Sequence, residues 1–113
     1  EPWGYTPLES IAFGIPTITT DLAGFGLWAK KHVTGNNISE GVAVVNRDDF
    51  NYFEVADAIT SSILTLAGKD KKEAEEIRKR SFCLAAKAEW SKFIVYYEEA
   101  FRIALEHANK RNN

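Results

Sequence analysis

The chain has 113 residues, 45% of them apolar, and a formal charge of −2 at neutral pH. That suffices for one small domain around one core and excludes a disordered composition. The charge gives no reason to expect nucleic acid or an acidic membrane as partner, and no apolar run approaches the roughly 20 residues that span a bilayer.

The opening stretch Glu1-Pro2-Trp3-Gly4-Tyr5-Thr6-Pro7-Leu8-Glu9 joins a glycine turn, a helix start and two carboxylates eight positions apart. A turn that frees backbone N–H groups, beside a helix N-terminus, makes an anion site of the kind a phosphate needs. The second carboxylate is placed to accept hydrogen bonds from a sugar or ribose. Thr6 reads as the N-cap, Pro7 as the first helical residue and Glu9 as the third, so Thr6-x-x-Glu9 is also a capping box. Glu9 therefore has two readings, a bond back to the Thr6 backbone or a ligand contact, and one carboxylate has lone pairs enough for part of both. Leu8, Ile11 and Ala12 follow helical spacing and face a core, and the helix stops at Gly14, with Pro16 beyond.

Residues 16–20 read as a short β-branched strand, so helix, tight glycine and strand form half of a parallel α/β unit. Residues 21–26 form a loop at the carboxyl end of that strand, where open α/β sheets bind ligands. Gly24 and Gly26 there read either as points of close ligand approach or as a plain turn into a helix over 27–33. His32 reads as a surface or cap residue, since no Ser, Cys or metal ligand stands at a telling spacing. Thr34-Gly35-Asn36-Asn37 is a loop, and Gly41–Val45 is a second strand of the fully buried kind. Arg47, beside Asp48 and Asp49, reads as self-paired rather than as a phosphate ligand.

Asn51-x-x-Glu54 opens a third helix as a capping box, with an apolar stripe of Tyr52, Val55, Ala56, Ile59, Ile63 and Leu66 up to Gly68. Asp70-x-x-Glu73 opens another over 70–87, with Ala74, Ile77, Leu84 and Ala85 inward. Its Lys71, Lys72, Arg78, Lys79 and Arg80 alternate with Glu73, Glu75 and Glu76 at pairing distance, which reads as a solvated charged face. A last helix over 91–109 carries a wide apolar face of Phe93, Ile94, Tyr97, Phe101, Ala104 and Leu105. The single Cys83 allows no intrachain disulfide, which suits a reducing compartment. The sequence has no methionine and starts inside the opening motif. It is therefore expected to be a fragment of a much longer chain, and its start says nothing of a signal peptide.

EPWGYTPLE followed by GIPTITTDLAGFG resembles the nucleotide-sugar-binding half of glycogen synthases of the fungal and animal type. The likeness extends more loosely through Val44-Val45-Asn46-Arg47 to Trp90 and the last helix. It implies an α/β fold with few parallel strands followed by C-terminal helices, part of the C-terminal Rossmann-like domain of a GT-B glycosyltransferase. Residues 1–47 would be the α/β portion with the donor-site loop and 50–109 the helical portion. The implied reaction is transfer of glucose, with retention, from UDP-glucose or ADP-glucose to an α-1,4-glucan, without cofactor or metal and in the cytoplasm. By resemblance Glu1 contacts hydroxyls of the donor glucose, Thr6 the phosphate and Glu9 the ribose, with backbone N–H groups of Gly4 and Tyr5 helping. Trp3 is equally a structural wedge.

Arg78 and Arg80 match part of the arginine-rich helix that binds glucose 6-phosphate in these enzymes. Ala74 and Ile77 stand where a denser arginine series belongs, so the likeness does not carry that site over. The paired carboxylates also suit a glycosidase, but a glycosidase needs no glycine turn and helix start between them. The terminal helix of these enzymes crosses to an N-terminal domain. The fragment alone is expected to be inactive, and its uncovered apolar face is expected to drive self-association. A non-catalytic nucleotide-binding or regulatory module is the alternative.

Overall fold

The computed structural model describes residues 2–34 and 37–113; Glu1 and the Gly35-Asn36 part of the expected loop lie outside them. Five helices and two strands follow in the order α1 (Tyr5–Ala12), β1 (Thr17–Thr20), α2 (Gly24–Ala29), a 3-10 turn (Ile38–Glu40), β2 (Val42–Val45), α3 (Tyr52–Ala67), α4 (Lys71–Ala86) and α5 (Trp90–Asn112). The expected mixed α/β character, with parallel strands ahead of C-terminal helices, is what forms. β1 and β2 pair in parallel, with Thr17 opposite Val42 and Thr20 opposite Val45.

All four residues of β2 are buried, as an apolar run covered on both faces requires. Val42 and Val44 join Ile11, Phe25, Ala29 and Leu84 in the main core, over which α1, α2 and α4 meet. Side chains alternate across a strand, so Ala43 and Val45 turn to the other face, where α3 packs on β2. α1 closes with a bond from Gly14 N–H to Ile11 O and one from Ile15 N–H to Ser10 O. These are the paired bonds of a Schellman end. Gly41 has φ +97°, and a Cβ there would stand 2.5 Å from the Ser81 backbone nitrogen of α4. That close approach lets the buried Ser81 hydroxyl donate to Gly41 O at 2.9 Å.

Several elements depart from the sequence reading. α1 starts at Tyr5, with Gly4 as its N-cap and no side-chain cap. Gly4 takes φ +94° and ψ 67°, so the chain swings into the helix two residues early, and Pro7 is tolerated because first-turn N–H groups have no intrahelical acceptor. The Thr6–Glu9 capping box does not form. α2 starts at Gly24 instead of Leu27, because backbone carbonyls of Pro2 and Trp3 accept from Gly24 and Phe25 N–H at 2.8 and 2.6 Å. Asn51 is the N-cap of α3 without capping it. Its side chain instead accepts from Asp48 N–H at 2.8 Å and donates to Asn46 O at 2.9 Å. Asp70 and Glu73 do form the full capping box of α4.

The buried line on α3 runs through Val55 and Ser62. Tyr52, Ala56 and Ile63, expected inward, are exposed. Ile77 and Leu84 of α4 are buried as expected, while Arg78–Glu75 and Lys79–Glu76 pair at 3.6 Å on its solvated side. α5 buries no residue; Phe93 and Ile94 are half-buried and the rest of its apolar face is exposed. Among the described residues no helix is long and apolar enough to cross a membrane.

Candidate functional site

The left-handed Gly4 sets the site. It turns the chain so that the first residues of α1 present their N–H ends at one point, where the helix dipole favours an anion. Among the described residues nothing accepts a hydrogen bond from the Thr6 backbone N–H. Gly4, Tyr5 and Thr6 therefore come together in one turn. Glu9 follows one helical turn later, and residues three and four apart share a helix face, so Glu9 lies below Tyr5 and Thr6. Its carboxylate is exposed and holds neither a hydrogen bond nor an ion pair among the described residues. The capping reading of Glu9 is thereby removed. Glu1, the other carboxylate, lies outside the described residues.

Trp3 is the wedge behind this turn. Its ring meets Phe25 and Phe93 edge-on at 6.4 and 5.9 Å and lies tilted to Trp28 at 6.3 Å. The opening turn is thus locked to α2 and α5 by aromatic packing, and to α2 again by the two carbonyl bonds from Pro2 and Trp3. Those carbonyls fill the N-terminus of α2. Gly24 and Gly26 consequently serve packing rather than ligand approach, since a Cβ on Gly24 would stand 2.7 Å from the Trp3 ring and one on Gly26 1.9 Å from Thr20 O.

Asp21, at the carboxyl end of β1, ties the site-bearing edge of the sheet together. It accepts from Asn46 Nδ2 at 2.8 Å, from the Arg47 backbone N–H at 3.0 Å and from Lys30 Nζ at 3.0 Å. The Asn46 and Arg47 bonds, with Lys30 adding its charge, lower its pKa to about 2. Nothing local in the sequence marks this residue, because two of its three partners stand 25 and 26 positions away. Arg47 does not pair with the aspartate carboxylates: its guanidinium donates to Asp48 O and to Asn51 Oδ1 and stacks 5.9 Å from the Tyr52 ring centre. Arg78 and Arg80 donate to backbone carbonyls, Gly14 O at 3.1 Å and Ser39 O at 2.8 Å. His32 lies against Trp28, ring centres 4.8 Å apart, and burial, then Lys87 and Lys31, lower its pKa.

A cleft of about 440 Å³ opens beside the turn, walled by Trp3 and Tyr5 on one side and by Trp90, Phe93, Tyr96 and Tyr97 of α5 on the other. Neither Thr6 nor Glu9 lines it. Among the described residues no three His, Cys, Asp or Glu side chains gather as metal ligands.

The fold and this turn define an α/β chain with two parallel strands and a glycine-led helix N-terminus at the carboxyl edge of its sheet. The family model described as glycogen synthase matches residues 1–112, and the chain belongs to the glycogen synthase family. It is 31% identical over 106 residues to the glycogen (starch) synthase of Caenorhabditis elegans and 30% identical over 108 residues to that of Neurospora crassa. The liver glycogen (starch) synthase of Homo sapiens is 30% identical over 108 residues. These alignments cover 94–96% of the chain but only 15–16% of the relatives' own length.

Proposed function

We propose that the chain is the donor-binding part of a retaining glycosyltransferase. The whole protein would move glucose from a nucleoside diphosphate glucose, UDP-glucose or ADP-glucose, to the 4-OH end of an α-1,4-glucan. The observation that carries this reading is the Gly4 turn, which puts the Thr6 N–H and the Glu9 carboxylate, neither of them bonded among the described residues, within one helical turn, in a chain of the glycogen synthase family. As the diphosphate leaves, negative charge grows on its oxygens. N–H dipoles of Gly4, Tyr5 and Thr6 at the α1 N-terminus would stabilise that charge. Glu9 would accept from the ribose hydroxyls, and Glu1 would contact hydroxyls of the donor glucose.

In this reading residues 1–47 belong to a Rossmann-like domain of GT-B architecture, and 50–109 are its helical portion. The basic side chains that such chemistry also needs on the diphosphate would come from elsewhere in the protein, so the 113 residues alone would bind without catalysing transfer. The expected location is the cytoplasm.

The test is an assay of the full-length protein with each donor on glycogen. Transfer with Glu9→Gln raising the donor KM at least several-fold supports the reading, since a hydrogen bond to a charged group contributes about 1.5–3 kcal/mol. Absence of transfer from either donor removes it and leaves a non-catalytic nucleotide-binding module. Unchanged donor kinetics in Glu9→Gln remove Glu9 from the site.

A further inference from the structure

The geometry points to Asp21 as a positioning residue for the donor site, acting through α2 on the Gly4 turn rather than by touching the donor. The inference rests on the transfer reading for what binds at the turn. It deepens that reading by naming what holds the turn in place.

Asp21 stands where β1 ends, and its side chain is 9% exposed. Its Oδ1 accepts from the Arg47 backbone N–H at 3.0 Å, while Oδ2 takes both Asn46 Nδ2 at 2.8 Å and Lys30 Nζ at 3.0 Å. Asn46 and Arg47 follow β2, and Lys30 is the C-cap of α2. One side chain thus fixes the far end of α2 to the ends of both strands. The near end of α2 lies on the same backbone, since a Cβ on Gly26 would stand 1.9 Å from Thr20 O and 3.1 Å from the Asp21 Cα. The first amides of α2, on Gly24 and Phe25, hold the Pro2 and Trp3 carbonyls at 2.8 and 2.6 Å. Those two residues lead straight into Gly4, whose φ of +94° aims the start of α1. Hydrogen bonds and one backbone contact make up the whole route, a contiguous network of the kind that couples separated groups. Held only at its glycine-led start, α2 could pivot; the Asp21–Lys30 bond closes its other end.

An amide at position 21 cannot stand in for the carboxylate. Both carboxylate oxygens accept, whereas an amide has a single acceptor oxygen and an NH2 group. With its oxygen on the Arg47 N–H, the side chain of Asp21→Asn would set its NH2 against Asn46 Nδ2 and Lys30 Nζ, donor against donors. The exchanged pair, Asp21→Asn with Asn46→Asp, removes that conflict. The amide at 21 then donates to the carboxylate at 46 and keeps the Arg47 N–H, and Lys30 retains a negative partner.

The test is the kinetics of the full-length protein with UDP-glucose and ADP-glucose on glycogen, well below the unfolding temperature. Asp21→Asn is expected to raise the donor KM about fivefold, inside the roughly two- to thirtyfold range of residues that act through packed contacts, and to leave the KM for glycogen unchanged. The exchanged pair should bring the donor KM back to within about twofold of the unsubstituted value. Ile77→Val, in the buried face of α4, should lower the urea midpoint and leave the donor KM as it was. Should Asp21→Asn fail to fold, Lys30→Gln, on a half-exposed side chain, reads the same link with a rise of about twofold. An unchanged donor KM in the variant that folds overturns the inference. So does an equal rise in Ile77→Val, which would make lost stability the cause, and so does a rise that the exchanged pair leaves in place. Transfer from neither donor by the unsubstituted protein removes the transfer reading and this inference with it, whereas transfer with an unmoved donor KM in Asp21→Asn removes Asp21 alone.

Discussion

Gly26→Ala tests whether the α2 glycines serve packing. The added Cβ would stand 1.9 Å from Thr20 O, 2.9 Å from its carbonyl carbon and 3.1 Å from the Asp21 Cα. All three are backbone atoms, so no side chain can swing aside. Relief requires α2 to move off the end of β1, which would pull on the core ring of Phe25 and on the Phe25 N–H bond to Trp3 O. Overpacking of this kind costs about 1–3 kcal/mol and sometimes more, whereas alanine in a helix regains about 1 kcal/mol over glycine. A 1.9 Å contact belongs at the top of the range, so the net expectation is a loss of about 2 kcal/mol. With a urea slope of about 1–3 kcal/mol per molar, the midpoint should fall by about 0.7–2 M. Gly68→Ala is the control. Gly68 has φ −84° and a Cβ there meets nothing closer than Leu64 O at 3.5 Å, so it should gain about 0.4–1 kcal/mol. A Gly26→Ala midpoint at or above the unsubstituted value would refute the packing account and restore that glycine to ligand approach.

Three further outcomes follow from the same contacts. The folded pKa of Asp21, about 2, lies below its ordinary 3.8, so its stabilisation is whole above about pH 4 and disappears as pH falls towards 2. Urea midpoints across that window should drop by the equivalent of about 2 kcal/mol, and Asp21→Asn should flatten that part of the profile; equal pH dependence in both chains counts against the clamp. Trp3→Ala, removing a half-buried ring from three aromatic partners, should lower stability by about 2 kcal/mol, read by urea titration; a midpoint within error of the unsubstituted one would show that the turn is held by its backbone bonds alone. Sedimentation of the 113-residue chain should reveal dimers or larger species, because α5 leaves Tyr97, Phe101 and Leu105 more than half exposed; monomer only, up to high concentration, would show that the face tolerates water.

Patterns with a short reach were legible in the sequence. The β-branched run at Thr17–Thr20 and the apolar run at Val42–Val45 carry strand preference within four residues. The α4 capping box needs only Asp70 and Glu73. Where reach was long, the reading failed. Asn51 has the right spacing for a cap on Glu54, but Asn46 and Asp48 fold back and take its side chain. The apolar residues of α3 allow more than one stripe. Which face β2 would cover depended on packing, so buried Ser62 and exposed Ile63 were not to be had from hydrophobicity. α5 was recognisable as an amphipathic helix, yet most of its apolar face stays exposed, with Phe93 packed on the rings of Trp3 and Trp28.

The candidate site shows the same division, with one added lesson about helix starts. Two helix N-termini face the carboxyl edge of the sheet, and both are led by glycine. From the sequence, Gly24-Phe25-Gly26 looks as fit to receive a ligand as Gly4-Tyr5-Thr6. What separates them is that the chain's own Pro2 and Trp3 carbonyls already sit on the α2 amides, while among the described residues nothing accepts from the Thr6 N–H of α1. A backbone carbonyl has no signature in an amino-acid alphabet, so only coordinates could reveal which start was already satisfied. The bonds that close α2 also anchor the two residues just before Gly4. The segment that occupies one N-terminus is therefore the segment that aims the other, which is a physical reason for the opening motif and the Gly24-Phe25-Gly26 stretch to occur together.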